Sequence, residues 1–254
     1  MVRLVLMRHG WSQWNEENRF TGWVDIPLHT IGEREADESG DILKKEGYVF
    51  DVVFTSVQKR AIDTTFRCLH RLGQQNLPVS YHWEIDERHY GALQGLNKAE
   101  TAAKYGADQV FVWRRSYGVR PPALTDEERL AQHRAGAFAD VPLQYLPGTE
   151  SLADCVARVV PWYEREVVPL LRQGKRVLIS AHGNSLRALV KYLDGISDEA
   201  ITKLTLPTAI PLVYDIDEHF HATRQGYLGD PEVVARRIAQ AEYTMYHVDG
   251  KRGP

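Results

Sequence analysis

Two short apolar runs, Arg3 to Met7 and Lys175 to Ala181, lead directly into His-Gly pairs, His9-Gly10 and His182-Gly183. Runs this short, rich in Val, Leu and Ile and bounded by polar residues, read as strands buried on both faces. Helical patterns alternate with them along the chain, the order expected of a mainly parallel sheet with helices on both sides. The expected fold is therefore α/β, three-layered, in one domain spanning 1–254. Ligands in such sheets gather beyond the carboxyl ends of the strands, so the two imidazoles are expected to face one cleft.

Between the runs, Glu33 to Gly47 reads as an amphipathic helix stopped by Gly47. A strand over Asp51 to Ser56 and a helix from Gln58 to about Arg71 follow. From 86 to 147 the pattern weakens around Pro121-Pro122 and the charged stretch Asp126 to Arg129, which predicts an insertion over the strand ends. Ser151-Leu152-Ala153-Asp154 has the form of a capping box opening a long helix that Pro161 should kink or divide. After Gly183 comes a helix rich in Leu and Ala, then an edge-like strand at Pro211 to Asp217 and a helix over Asp230 to Tyr246. A mobile tail is expected to close the chain.

The formal charge of -3 offers no general attraction for nucleic acid or anionic lipid, so an anionic ligand must be held by a local basic cluster. Cys68 and Cys155 form neither a disulfide framework nor a zinc spacing and read as buried free thiols of a reducing compartment. No apolar stretch approaches the roughly 20 residues that span a bilayer. The expectation is a cytoplasmic protein without membrane or nucleic-acid partners.

An unprotonated imidazole nitrogen can attack phosphorus, and a hydrogen bond from the other ring nitrogen to a backbone carbonyl fixes that tautomer. The phosphoryl group in transfer spreads its charge over three oxygens and needs several fixed donors. Arg8 stands at a strand end and Arg60 at the start of the helix after the strand end Thr55-Ser56, His182 adds a donor, and the helix start after Gly183 offers backbone amides. Glu87 is placed to carry the proton of a leaving alkoxide. Arg114-Arg115 is a compact cationic pair suited to a carboxylate or second phosphate.

Several segments together resemble the cofactor-dependent phosphoglycerate mutases of the histidine phosphatase superfamily. They are Arg8-His9-Gly10, Asn18 to Trp23, Thr55-Ser56-Val57, Glu87 to Leu93, Leu96-Asn97-Lys98, Trp113-Arg114-Arg115 and His182 to Ser185, in order from about Val2 to Asp230. The resemblance implies a phosphohistidine at His9, with Arg8, Arg60 and His182 around the phosphoryl group and Glu87 as proton donor and acceptor. It implies that Ser12, Asn15, Thr21, Gly22, Tyr90, Lys98, Arg114, Arg115, Gly183 and Asn184 bind the substrate, a small phosphorylated carboxylic acid. It further implies 2,3-bisphosphoglycerate as the phosphoryl primer, no metal, a homo-oligomer (dimer or tetramer), and the 3-/2-phosphoglycerate interconversion of glycolysis and gluconeogenesis.

Three features depart from that pattern. Trp11 stands where such enzymes usually carry Glu, Ala209 where they carry Gly, and Arg134-Ala135-Gly136-Ala137-Phe138 replaces residues that help to close the cleft. Trp11 either packs under a loop or alters the pocket. The altered-pocket reading gives a phosphatase, a bisphosphoglycerate synthase or a mutase for another phosphorylated acid, and a blocked cleft would give a non-enzymatic binding or regulatory homologue.

Overall fold

The computed structural model describes residues 1–134 and 136–249. Ala135 and residues 250–254, on which the mobile-tail reading falls, lie outside the described residues. The elements in chain order are β1 (Val2–Arg8), α1 (Gln13–Glu16), α2 (Thr30–Lys45), β2 (Val52–Thr55), α3 (Lys59–Leu72), β3 (Val79–Tyr81), α4 (Lys98–Tyr105), α5 (Ala107–Arg115), α6 (Asp126–Arg134), α7 (Leu152–Trp162), α8 (Val168–Arg172), β4 (Val177–Ala181), α9 (Gly183–Leu193), β5 (Leu212–Ile216), β6 (Ala222–Tyr227) and α10 (Pro231–Tyr246). Among the described residues, no helix is long and apolar enough to cross a membrane.

The six strands form one sheet in the order β3-β2-β4-β1-β5-β6, in which only β5 runs against the others. The pleat of β1 sorts its side chains. Leu4 and Leu6 pack with α7, α8 and α9, while Val5 and Met7 pack with α2 and α3 on the opposite face. All four are fully or almost fully buried, worth about 2 kcal/mol each in area removed from water. This is the mainly parallel three-layer architecture expected. The chain leaves β1 toward β2 and leaves β4 in the opposite direction toward β5, so the sheet's switch point lies between β1 and β4.

Local chemistry sets the element ends. Ser151 and Asp154 form the predicted reciprocal cap of α7. Pro161 sits within α7 without ending it; the division comes just after, as a π-helical turn over Tyr163–Val167. α2 starts at Thr30, ahead of the expected Glu33, because the His29 ring caps it by accepting from the Ile31 amide.

The predicted edge strand requires correction. β5 lies inside the sheet, paired with both β1 and β6. The chain turns back at Phe220, whose φ is 65°, and the exposed pattern of β6 gave no periodic apolar signal. α4 and α5 were equally silent, burying only Thr101, Val110 and Arg115 between them. Both thiols are buried and unpaired, and burial pushes Cys68 up to about 12.

Ala209 keeps a left-handed backbone, φ 46°, despite its Cβ. Its amide donates to the Arg8 carbonyl at 2.9 Å, and Thr208 bridges to Arg8, so the sheet holds a conformation that costs on the order of 1 kcal/mol.

Candidate active site

Register brings the two histidines together. Arg8 pairs with Ala181, and the His9 amide extends the ladder to the Ala181 carbonyl at 2.9 Å. The next side chains, His9 and His182, therefore stand side by side with ring centroids 5.1 Å apart. One donor or acceptor atom from each of His9, Glu87 and His182 lies within 4.8 Å of the others.

His9 Nδ1 lies 2.7 Å from the Gly10 carbonyl, so Nδ1 carries the proton and donates, and Nε2 keeps its lone pair. Burial first, then the positive charges of Arg60 and Arg8, hold the His9 pKa well below the ordinary range. The same causes, with His9 added, act on His182. A field that repels protons from two imidazoles favours a bound anion over a cation, although the spacing of these groups would also suit a metal ion.

Glu87 is anchored by one oxygen. Its Oε1 accepts the amides of Arg88 at 2.8 Å and Asn184 at 3.1 Å, while Oε2 is left toward Gly183. The helix-start amide of Asn184 thus holds the carboxylate instead of facing a phosphate. The backbone of Glu87 is gripped as well: its amide donates to Gln58 Oε1 at 2.9 Å and its carbonyl accepts the Trp23 indole N–H at 2.6 Å.

These groups open into a cavity of about 120 Å³. Its walls include Arg8, His9, Arg60 and Glu87 of the expected catalytic set. They also include all ten expected substrate contacts, Ser12, Asn15, Thr21, Gly22, Tyr90, Lys98, Arg114, Arg115, Gly183 and Asn184. His182 is the exception: it stands fully buried behind the wall, its Nε2 2.6 Å from Ser56 Oγ. Gly22, with φ 56°, is required by contact, since a Cβ there would lie 2.2 Å from Gln94 Oε1.

The cavity wall carries two groups of cations. Arg8 uses Nη1 on the Leu206 carbonyl, and Arg60 uses two nitrogens on the Val24 and Gly22 carbonyls. Arg114 and Arg115 reach the carbonyls of Thr244, Thr202 and Leu204, and Arg88, not itself in the wall, lies 4.4 Å over the ring of the wall residue Tyr90. Among the described residues, Arg8 Nε, Arg88 Nε and Nη1, Arg114 Nη1 and Arg187 Nε are buried donors without a partner. Burial, then Arg114 and Arg8, pushes the Lys98 ammonium down to about 7. An incoming anion would restore its charge.

Sequence reasoning missed Arg187, whose Nη1 donates to Asn184 Oδ1 at 2.8 Å and orients that amide. Its position three residues after Asn184, on the same helix face, was the available signal. It also missed Ala241, Thr244 and Met245, which present one face of α10 to the cavity, and Thr205 and Leu206. Arg19 lines the rim while pairing with Glu17. The least legible contribution is the buried pair Arg158–Glu150. Arg158 donates to both Glu150 oxygens at 2.9 and 2.8 Å and to the carbonyls of Glu84 and Asp86, and Glu150 accepts the His89 amide. The pair thereby clamps the segment that carries Glu87.

Trp11 does not line the main cavity. Its amide donates to Glu35, its indole N–H donates to Glu16 at 3.0 Å, and it walls an adjoining pocket of about 50 Å³ that shares Arg8, Asn15, Lys98, Arg114 and Thr244 with the main cavity. The ring is 6% exposed, which favours the packing account over a blocked cleft. The altered insertion is docked, with Phe138 stacked on Trp23 at 4.9 Å.

A profile of the histidine phosphatase superfamily (branch 1) matches residues 4–224, and the chain belongs to that family. A mycobacterial glucosyl-3-phosphoglycerate phosphatase in complex with VO3 is similar in fold, at 22% identity over 91% of this chain and 100% of that one, with a TM-score of 0.68. An α-ribazole phosphatase from Shigella flexneri is 21% identical over 89% of this chain and 96% of that one, with a TM-score of 0.65.

Proposed function

We propose that this chain carries a phosphoryl group on His9 and exchanges it with a small phosphorylated acid. One reading is interconversion of 3-phosphoglycerate and 2-phosphoglycerate, primed by 2,3-bisphosphoglycerate; the other, net hydrolysis of such an acid, has the better support from the structural relatives. The observation that carries the substrate class is the second group of cations. A phosphate ester of a neutral alcohol needs only Arg8 and Arg60, whereas Lys98, Arg114, Arg115 and Arg187 supply further cations for a carboxylate or a second phosphate. The unpartnered guanidinium nitrogens fit a molecule that is anionic at both ends, as the primer is.

In this reading His9 Nε2 attacks phosphorus, the bond from phosphorus to the ester oxygen breaks, and Glu87 Oε2 delivers a proton to that oxygen. Return of the group to the other hydroxyl reverses these steps, with Glu87 taking the proton. Arg8 and Arg60 supply the positive charge, so the scheme uses no metal.

A second reading is net hydrolysis, with water as the acceptor. The two structural relatives named above, both phosphatases, favour it, and a phosphatase for a phosphorylated acid satisfies the cavity equally. Incubation with labelled 2,3-bisphosphoglycerate should leave an acid-labile, alkali-stable label on His9; its absence removes the mutase reading. Isomer formed against phosphate released then decides between them.

The depressed His9 pKa gives a pH test. A lowered pKa keeps the imidazole neutral to lower pH, so the rate of His9 phosphorylation, corrected for ionisation of the phosphoryl donor, should stay flat as pH falls through 6.5. A rate halved at 6.5 would mean an ordinary imidazole.

A further inference from the structure

α6 buries none of its residues, so apolar packing does not hold it in place. Polar contacts do: Arg129 reaches the Leu146 carbonyl, His133 Nε2 meets the Val141 carbonyl at 2.8 Å, and Gln132 contacts the catalytic body. Gln132 uses both ends of its amide. Its Nε2 donates to the Trp23 carbonyl at 2.9 Å, and its Oε1 lies 2.8 Å from His89 Nε2. The direction of the second bond follows from the His89 ring, since Nδ1 accepts the Gly91 amide at 2.9 Å and the ring proton must sit on Nε2, which donates.

Both partners of Gln132 border Glu87. Trp23 donates its indole N–H to the Glu87 carbonyl, and His89, two residues further on, has its amide fixed by Glu150. The loop after α6 reinforces the same point, because Phe138, Val141 and Leu146 cluster on the Trp23 ring.

We propose that Gln132 is a positioning residue that couples docking of the insertion to the orientation of Glu87, through Trp23 and His89. The proposal rests on the reading of Glu87 as proton donor. Proton delivery is then effective only with the insertion docked. The insertion differs from the family pattern in sequence, yet Gln132 and Phe138 supply its anchorage here.

The test separates steps that need a proton from one that does not. Single-turnover phosphorylation of His9 is measured from 2,3-bisphosphoglycerate, which must expel an alkoxide, and from p-nitrophenyl phosphate, whose leaving phenolate is stable unprotonated. In Gln132→Leu the first rate should fall by about tenfold, a part of the 10²–10⁴ that general acid catalysis supplies, while the second stays within about twofold. Gln132→Glu, which keeps the acceptor for His89 but cannot donate to Trp23, should show the same selective loss. Equal losses with both donors, or no loss with either, in a variant that retains wild-type thermal unfolding overturn the coupling. If Gln132→Leu fails to fold, Gln132→Glu decides by the same two rates. A wild-type chain that is not phosphorylated by either donor overturns instead the function on which the coupling rests.

Discussion

His9→Ala is expected to lower phosphoryl transfer by at least about four orders of magnitude, with thermal unfolding nearly unchanged. The reason lies in what remains. Among the described residues the imidazole beside His9 is that of His182; it is fully buried behind the cavity wall, and its Nε2 is engaged by Ser56. Arginines at the site cannot act as nucleophiles, and Glu87 has one oxygen fixed by two backbone amides. Isomer formation and phosphate release followed in the same reaction check the outcome. Substantial turnover by the variant, through either route, would remove His9 from the mechanism.

Arg158→Met is expected to lower the unfolding free energy by about 3–5 kcal/mol, read by urea denaturation. Arg158 and Glu150 have side chains 8% and 6% exposed, and removal of the cation leaves a carboxylate buried without its counter-charge. The clamp on the carbonyls of Glu84 and Asp86 is lost with it, so activity should fall as well, because those residues lead into Glu87. Arg158→Met combined with Glu150→Gln should recover most of the stability, since glutamine can still accept the His89 amide without a charge. A loss below about 1 kcal/mol in the single variant would mean that Glu150 reaches water, and the pair would not be the clamp described.

Much of the catalytic end was legible because it sits where local sequence and fold rules coincide. Two apolar runs ending in His-Gly had to be strands, and strand ends in a parallel sheet meet at one edge. The cap at Ser151, the glycine stop at Gly47 and the helix over Asp230 to Tyr246 were likewise readable from neighbouring residues. Less was legible where partners are remote in the chain. Arg158 looks like any helix cation until α7 packs beneath the Glu87 segment, and Gln132 looks like a solvated polar residue until α6 meets Trp23 and His89. β5 was taken for an edge because nothing in the short, exposed β6 announced a partner strand.

The opening pair of His-Gly strand ends shows where the division falls. By itself the sequence determined the α/β layering and the identity of the groups at the strand ends, since side-chain alternation and apolar run length act over a few residues. Only the tertiary structure decided that β1 and β4 are neighbours in a register placing His9 beside His182, that the Trp11 ring is buried against a side pocket, and that Arg187 joins Lys98, Arg114 and Arg115 in the cavity wall. Those outcomes depend on pairings and burials between residues up to a full domain apart, and no local pattern encodes them.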